Sequence, residues 1–315
     1  VGDLIADQFL YGEISRVSRE APVFILRHEQ TETIPGGAGN CAMNLAALGA
    51  QVTLLSRIGD DDAGSAVIEK LRTAGVNCDH VAVSSARTTT KVRVLAGQIH
   101  STRQQVIRID YDDDSELSKG LNEQLRTTVA GVLVDADAVI VSDYNYGVAD
   151  PDMGVVLRET TQRQGIPVLV DSRFRLSGFP GFTSATPNED EVEELLGVKH
   201  CNRAALELAA QELRQRLGYK ALLVTRGGDG MMLVEAATAP LHIDAVGSSQ
   251  PVDVTGAGDT VIAAYSLALA TGSSFVDAAH LANLAGGLVV MKRGTATVNA
   301  AELQFAAGKA AMKGS

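Results

Sequence analysis

The sequence predicts an α/β protein: a single domain on a doubly wound, mainly parallel sheet flanked by helices, with a small discontinuous β lid. Three observations lead there. From Gly36 onward, helical patterns alternate with short runs rich in Val and Leu. Those runs are apolar throughout, as strands buried on both faces are. Two segments, about 11–34 and 86–110, read instead as strands with no helix between them.

Taken in order, "GNCAMNLAALGA" is helical, "QVTLLSRIG" strand-like and "AGSAVIEKLRTAGV" helical again. "TTTKVRVLAG" and "TRQQVIRID", separated by a turn-like stretch, read as an antiparallel pair belonging to the lid. "DAVIVSDY", "IPVLVDS" and "ALLVTRGG" follow as core strands, with helices around Val155 to Gln164 and Ala204 to Leu217 between them. Two helical runs follow "DVTGAGDT", the first of them Val261 to Ala270, and "NAAELQFAAGKAA" makes a last helix. The opening "VGD" reads as the tail of a strand. There is no internal repeat or low-complexity linker, so one domain over 1–315 accounts for the length.

Bulk composition narrows the function classes. Apolar residues make up 45% of the 315, aromatics 4%, and there is no Trp, so the core must be aliphatic. The 38 acidic and 27 basic residues give a net charge of −11. A general nucleic-acid binder carries a basic face, so no nucleic-acid partner is expected. The three cysteines, Cys41, Cys78 and Cys201, are widely spaced and lack metal-type spacing. They read as reduced thiols of a cytoplasmic protein. No signal-like segment or membrane-length apolar run is present, so no membrane association is expected.

The motif with the most chemistry is "DVTGAGDT", residues 253–260. Gly256 and Gly258 free the backbone for a tight turn ahead of an apolar helix. The first amides of that helix, at Gly256, Ala257 and Gly258, lack intrahelical partners and sit at the positive end of the dipole. Such a terminus holds an anion, typically phosphate. Asp259 would repel that anion, which makes sense if it takes a proton from whatever attacks the phosphate. A tight turn whose aspartate helps to start the helix is the alternative reading.

Other candidates are weaker alone. "GGAGN" leads into a helix on which Asn40 and Asn44, four apart, share one face and could both meet a polyol. Asp3 and Asp7 bracket the end of the first strand, where ligands of open parallel sheets sit. In "TPNEDEVEELLG", Asn188 and Glu191 share one side of a first turn and could orient a hydrated Mg²⁺ held mainly by nucleotide phosphates. An acidic helix start complementing the dipole explains the same residues. Lys91 and Arg93 share a strand face, with Arg103, Arg108 and Arg16 on the other lid segments. They would neutralise a substrate phosphate or else guard strand edges. "TRGGDGM" is a strand and glycine turn open to a flat base or a phosphate. The six histidines show no paired metal or triad spacing.

Together, "GGAGN", "TPNEDE" and "DVTGAGDT", in this order and spacing, resemble the ribokinase-like (PfkB) carbohydrate kinases over essentially the whole chain. "GDLIADQFLYGEISRVSREAPV", "TTTKVRVLA" and "QQVIRID" further resemble the kinase domain of the bifunctional bacterial heptose 7-phosphate kinases. The resemblance implies transfer of the ATP γ-phosphoryl group to O1 of D-glycero-D-manno-heptose 7-phosphate, on the route to ADP-heptose and lipopolysaccharide core. Asp259 matches the catalytic base, and Gly256, Ala257 and Gly258 the anion hole. Asn188 and Glu191 match the family's magnesium motif. Asp3, Asp7, Gly37, Asn40, Asn44 and Asp143 match sugar-side positions. Arg16, Glu20, Lys91, Arg93 and Arg103 fall in the portion characteristic of the heptose kinases. Thr225, Gly227 and Asn283 fall where the family holds the nucleotide. Asp253, Thr255, Gly294 and Thr297 fall where many members bind K⁺. The implied cofactors are ATP, Mg²⁺ and, by this last match, K⁺. A homodimer formed through the lid is expected; the sequence stops after the kinase region with no nucleotidyltransferase domain, so it reads either as monofunctional or as a fragment of a bifunctional enzyme.

Two positions depart from the pattern. Tyr146 stands where relatives reading "SDYAKG" carry lysine, and "DSRF" replaces "DPKG", with Arg173 keeping the charge. The rival readings are a kinase of another sugar, sugar phosphate or nucleoside, and a non-catalytic sugar-phosphate-binding regulator. Retention of Asp259 with Asn188 and Glu191 argues against the regulator, since a binder needs no base.

Overall fold

The computed structural model describes residues 1–97, 103–112, 119–199, 202–247 and 250–313. Cys201 lies outside them, whereas Cys41 and Cys78 are free, buried thiols. The chain opens with a long antiparallel hairpin, β1 (Leu4–Val17) and β2 (Phe24–Gly37), followed by α1 (Ala38–Ala47), β3 (Thr53–Gly59), α2 (Asp62–Thr73) and β4 (Asn77–Ser84). Next come β5 (Thr90–Gly97), β6 (Gln104–Tyr111), α3 (Lys119–Val132), β7 (Val139–Asp143), α4 (Pro151–Gln164), β8 (Val168–Ser172) and the short β9 (Ser184–Ala185). The second half adds α5 (Glu189–Leu196), α6 (Arg203–Leu217), β10 (Ala221–Thr225), β11 (Met231–Glu235) and β12 (Leu241–Ile243). Three helices, α7 (Ala257–Ala270), α8 (Phe275–Val289) and α9 (Ala300–Lys313), close the chain.

The main sheet runs β12-β11-β10-β9-β8-β7. Its members β7 to β10 are parallel, and β11 and β12 are added antiparallel at one edge. Successive side chains on a strand point to opposite faces, and both faces of these strands are buried. Val139 and Val141, Val168 and Val170, and Leu222 and Val224 pack with α3, α4 and α6. Their neighbours Ile140, Leu169 and Leu223 pack on the other side with α7 and α8. The sheet is doubly wound, as the runs without alternation require.

Beyond β7 the head of the chain continues the layer. Gly2 bridges Ser142 in parallel, and its N–H reaches the Leu55 carbonyl of β3 at 3.2 Å. A Cβ at Gly2 would lie 2.2 Å from the Ser142 carbonyl oxygen, so only glycine fits between these strands.

The lid is a four-stranded sheet, β2-β1-β5-β6. Its two pieces are not separate from the core: Leu4 to Asp7 of β1 are buried, while Ser15 to Val17 of the same strand are exposed. The hairpin therefore begins inside the molecule and ends over it. The elements not singled out in the sequence are α3, β4, β11 and β12. The last two form an edge meander.

Substitution of Gly2 by Ala should cost about 1–3 kcal/mol through overpacking against β7. Gly131→Ala, on the open face of α3 with nothing within 4 Å of the new Cβ, should instead stabilise by up to about 1 kcal/mol. Urea unfolding of both variants checks the opposite signs.

Candidate active site

A cavity of about 300 Å³ lies between the lid and the carboxyl ends of β7, β8 and β10, where ligands of open α/β sheets bind. A smaller hollow beside Arg57 and Thr88 has about 20 Å³, room for a single water. The substrate-sized space is the larger one.

Its floor is the start of α7. Gly256 caps that helix with φ 75°, a left-handed conformation glycine takes without penalty. A Cβ there would come within 2.4 Å of the Asn40 amide nitrogen. The Ala257 N–H turns back to the Val254 carbonyl at 3.2 Å. Among the described residues, the amides of Gly256 and Gly258 donate no hydrogen bond to protein, and both glycines line the cavity.

Asp259 is 4% exposed. Asn40 Nδ2 donates to its Oδ2 at 2.8 Å, and the Tyr144 hydroxyl to its Oδ1 at 3.0 Å. Burial pushes the Asp259 carboxyl up to about 6, despite those two hydrogen bonds and Arg173, which hold it down. A carboxylate in that range is a competent base near neutral pH.

The sequence-predicted sugar-side residues divide. Asp7 and Gly37 line the cavity, and Asp7 pairs with Arg93 at 2.5 Å. Asn40 serves Asp259 directly. Asn44, expected beside it on a polyol, is fully buried and orients Asn40: its Nδ2 donates to the Asn40 carbonyl at 3.0 Å, and its Oδ1 accepts from the Thr260 hydroxyl at 3.0 Å. Asp3 does not reach the cavity. Its carboxylate accepts the backbone N–H groups of Tyr144, Tyr146 and Val148 at 2.9–3.0 Å, fastening the loop after β7. Burial outweighs those three amides and leaves Asp3 above the usual carboxylate range. Asp143 lines the cavity, but its carboxylate is held by Arg175 at 2.5 Å, the Ser172 hydroxyl at 2.7 Å and the Asn145 amide at 3.0 Å.

The lid supplies cations by register. Lys91 sits opposite Asp7 in the β1–β5 pairing, and Arg93 opposite Arg108 in the β5–β6 pairing. All three basic side chains line the cavity. Lys91 is 8% exposed, its ammonium 5.7 and 5.4 Å from the Tyr144 and Tyr146 ring centres, and burial lowers its pKa. Arg103 instead pairs with Glu29 on the lid, and Arg16 and Glu20 are exposed at the lid's outer end. None of these three lines the cavity.

On the opposite wall, Asn188 and Glu191 form a capping box for α5: Glu191 N–H donates to Asn188 Oδ1 at 2.8 Å, and Asn188 N–H to Glu191 Oε2 at 2.9 Å. Both still line the cavity, and burial raises Glu191. The described residues contain no cluster of three or more His, Cys, Asp or Glu able to cage a metal. Carboxylate and amide oxygens around a phosphate-sized space do suit a hydrated Mg²⁺ carried on a nucleotide. Thr225 lines the same wall. Gly227 turns away in a short 3₁₀ segment, and Asn283 donates to the Asp244 carbonyl at 2.8 Å, both outside the cavity. The K⁺ expectation fits less well. Asp253 accepts the amides of Thr255 and Gly294, each at 2.9 Å, and the Thr297 carbonyl accepts the Lys292 ammonium at 2.7 Å.

Several cavity residues were outside the sequence-predicted set, chief among them Tyr144, Asp171 and Arg173. Tyr144 follows β7, and Asp171 and Arg173 end and follow β8; the strand-end rule that selected Asp143 covers them equally. Burial, reinforced by the charges of Asp259 and Glu191, pushes Asp171 well above the usual carboxylate range. Thr186 and Thr295 complete the lining.

The arrangement joins a helix N-terminus, a buried base and a row of cations, which is equipment for moving an anionic group onto a hydroxyl. Comparison with known proteins decides the family: the model of the pfkB family of carbohydrate kinases matches residues 2–302. The chain belongs to that family. Its relatives include the bifunctional protein HldE of Nitrosococcus oceani, 42% identical over 309 residues, and that of Hahella chejuensis, 41% identical over 321. These alignments take in 97% and 99% of this chain but 63% and 65% of the relatives' length. Among solved structures, phosphofructokinase-2 from Escherichia coli in complex with potassium superposes with a TM-score of 0.81 at 20% identity, covering 98% of this chain and 97% of that one. Arabidopsis thaliana ribokinase complexed with ribose and ATP gives 0.73 at 21%, covering 97% and 96%. The fold is thus shared over nearly the whole chain.

Replacing Asp3 by Ala should release the loop after β7. Hydrogen exchange at Tyr144, Tyr146 and Val148 should accelerate at least about 100-fold, while amides of β10 in the core stay protected.

Proposed function

We propose that the chain transfers the γ-phosphoryl group of ATP to O1 of D-glycero-D-manno-heptose 7-phosphate, forming a precursor of ADP-heptose and the lipopolysaccharide core. One observation carries the kinase reading: a buried, pinned carboxylate, Asp259, at the amino end of a helix whose first residues line one cavity with the lid cations. The heptose assignment rests on the resemblance of the β1–β2 hairpin and the lid strands to heptose 7-phosphate kinases. Lys91, Arg93 and Arg108 supply charge for an acceptor that carries its own phosphate, which a nucleoside or a free sugar would not need.

In this reading the acceptor lies against Asp7 and Gly37 with its phosphate among the lid cations. Asp259 accepts the O1 proton as O1 bonds to the γ-phosphorus and the bond from phosphorus to the β–γ bridging oxygen breaks, releasing ADP. In a loose transition state the proton moves late, so a base near 6 suffices. The amides of Gly256 and Gly258 stabilise charge on the transferred group. Mg²⁺, when bound with the nucleotide near Asn188 and Glu191, neutralises phosphate charge. Lid closure keeps water from competing as acceptor.

A cytoplasmic setting belongs to the same reading, because its substrates are cytoplasmic metabolites; among the described residues no helix is long and apolar enough to cross a membrane. So does a homodimer through the lid, supported by the exposure of Val106, Ile107 and Ile109 along β6. Sedimentation should show a species of twice 33.0 kDa, which Ile107→Glu returns to the monomer.

The deciding assay is ADP release from Mg-ATP with heptose 7-phosphate, compared with fructose 6-phosphate, ribose and adenosine. Turnover is expected with the heptose phosphate. Asp259→Asn should lower kcat at least about 10²-fold with ATP binding retained. Since the base works deprotonated, the rate should fall as pH drops through about 6. Turnover of another acceptor alone would move the substrate to the altered positions Tyr146 and Arg173, and an unchanged kcat in Asp259→Asn would end the mechanism.

A further inference from the structure

We propose that Tyr144 is a positioning residue for the base, its hydroxyl fixing which lone pair of Asp259 faces the acceptor and favouring the ionised carboxylate. The inference rests on the kinase reading above and adds a role to a residue outside the expected set.

The geometry is a two-sided clamp. Asn40 Nδ2 takes Asp259 Oδ2 at 2.8 Å, and the Tyr144 hydroxyl takes Oδ1 at 3.0 Å. A carboxylate held at one oxygen can still turn about its Cβ–Cγ bond; held at both, it cannot. The phenol is itself placed with care. Its backbone N–H is anchored to Asp3 at 2.9 Å, and Lys91 and Arg173 each lie 5.7 Å from the ring centre. Burial and the negative charge of Asp259 push the Tyr144 hydroxyl well above its ordinary range, so it stays a donor. A hydrogen bond donated to the charged form favours that form.

Asp259 also meets other groups: Cys41 from α1, Asp7 from β1, and Asp171 and Arg173 at the end of β8. Burial and Asp7 favour the proton on Asp259, whereas Arg173 opposes it. Removing the Tyr144 hydroxyl subtracts one of the groups that hold the carboxyl down to about 6. The sign follows: the acid limb of the rate should move to higher pH.

The test is the pH dependence of kcat and kcat/KM in wild type and Tyr144→Phe, with whichever acceptor the wild type turns over. The expected result is a fall in kcat of about tenfold at pH 8 from lost orientation, with an acid limb displaced upward by about one pH unit. An unmoved limb overturns the proposal, whether the rate falls equally at every pH or not at all. Should Tyr144→Phe fail to fold, 3-fluorotyrosine at 144, a more acidic donor, should move the limb downward; no displacement overturns it. If the wild type turns over no acceptor, the function proposed above falls, and Tyr144 is tested separately. The infrared carbonyl band of protonated Asp259, assigned by its loss in Asp259→Asn, should titrate at higher pH in Tyr144→Phe, and coincident midpoints overturn the role.

Discussion

The site depends on a carboxylate that never touches it. Asp3 gathers three backbone N–H groups from the loop after β7, in the space between the head of β1 and the main sheet. Those amides would otherwise be buried without partners, and an unsatisfied buried donor costs about 1–3 kcal/mol. The loop so held presents the Tyr144 hydroxyl to Asp259 and a tyrosine ring on each side of Lys91. One buried carboxylate, satisfied by backbone, fixes the loop that brings Tyr144 to Asp259.

A second constraint is electrical. Asp7, Asp171, Glu191 and Asp259 line one cavity with Lys91, Arg93, Arg108 and Arg173. Among the described residues, Arg93 pairs with Asp7 and Arg108 with Asp110. The raised proton affinities of Asp171, Glu191 and Asp259 follow chiefly from burial. Such a site holds its charges at a cost and is poised for anions and a cation that bring their own.

Much of this was legible in the sequence. The period of the apolar runs reported a parallel sheet, since side chains of β7, β8 and β10 are buried on both faces. "DVTGAGDT" reported a helix start because glycine is a costly choice there unless a tight turn or a close approach requires it. What was not legible is which polar residues spend themselves on the protein. Asp3, just ahead of β1, and Asp7, within it, lie four apart, yet one clamps a loop and the other lines the cavity. Asn40 and Asn44 share a helix face, but the outer one serves Asp259 and the inner one serves its neighbour. Spacing sets the face of an element, whereas the partner depends on what packs across from it. The edge strand β12, three residues long, was silent for a related reason, since it borrows burial from its neighbour, whereas the apolar run of β11 was passed over.

The long strand β1 has a mechanical consequence. A lid on loops would swing as a flap, with the floor of the site indifferent to its motion. Here the floor residue Asp7 and the exposed lid tip at Val17 lie on one unbroken ribbon, whose register slips only at Tyr11/Gly12 and Ile14/Arg16. A ribbon of this kind flexes by coiling and bending where it is irregular, and both irregularities lie between Asp7 and Val17. Bending of the outer sheet is thereby coupled along one strand to a carboxylate of the cavity wall, so that under the proposed function crowding at the rim would be felt where the acceptor lies.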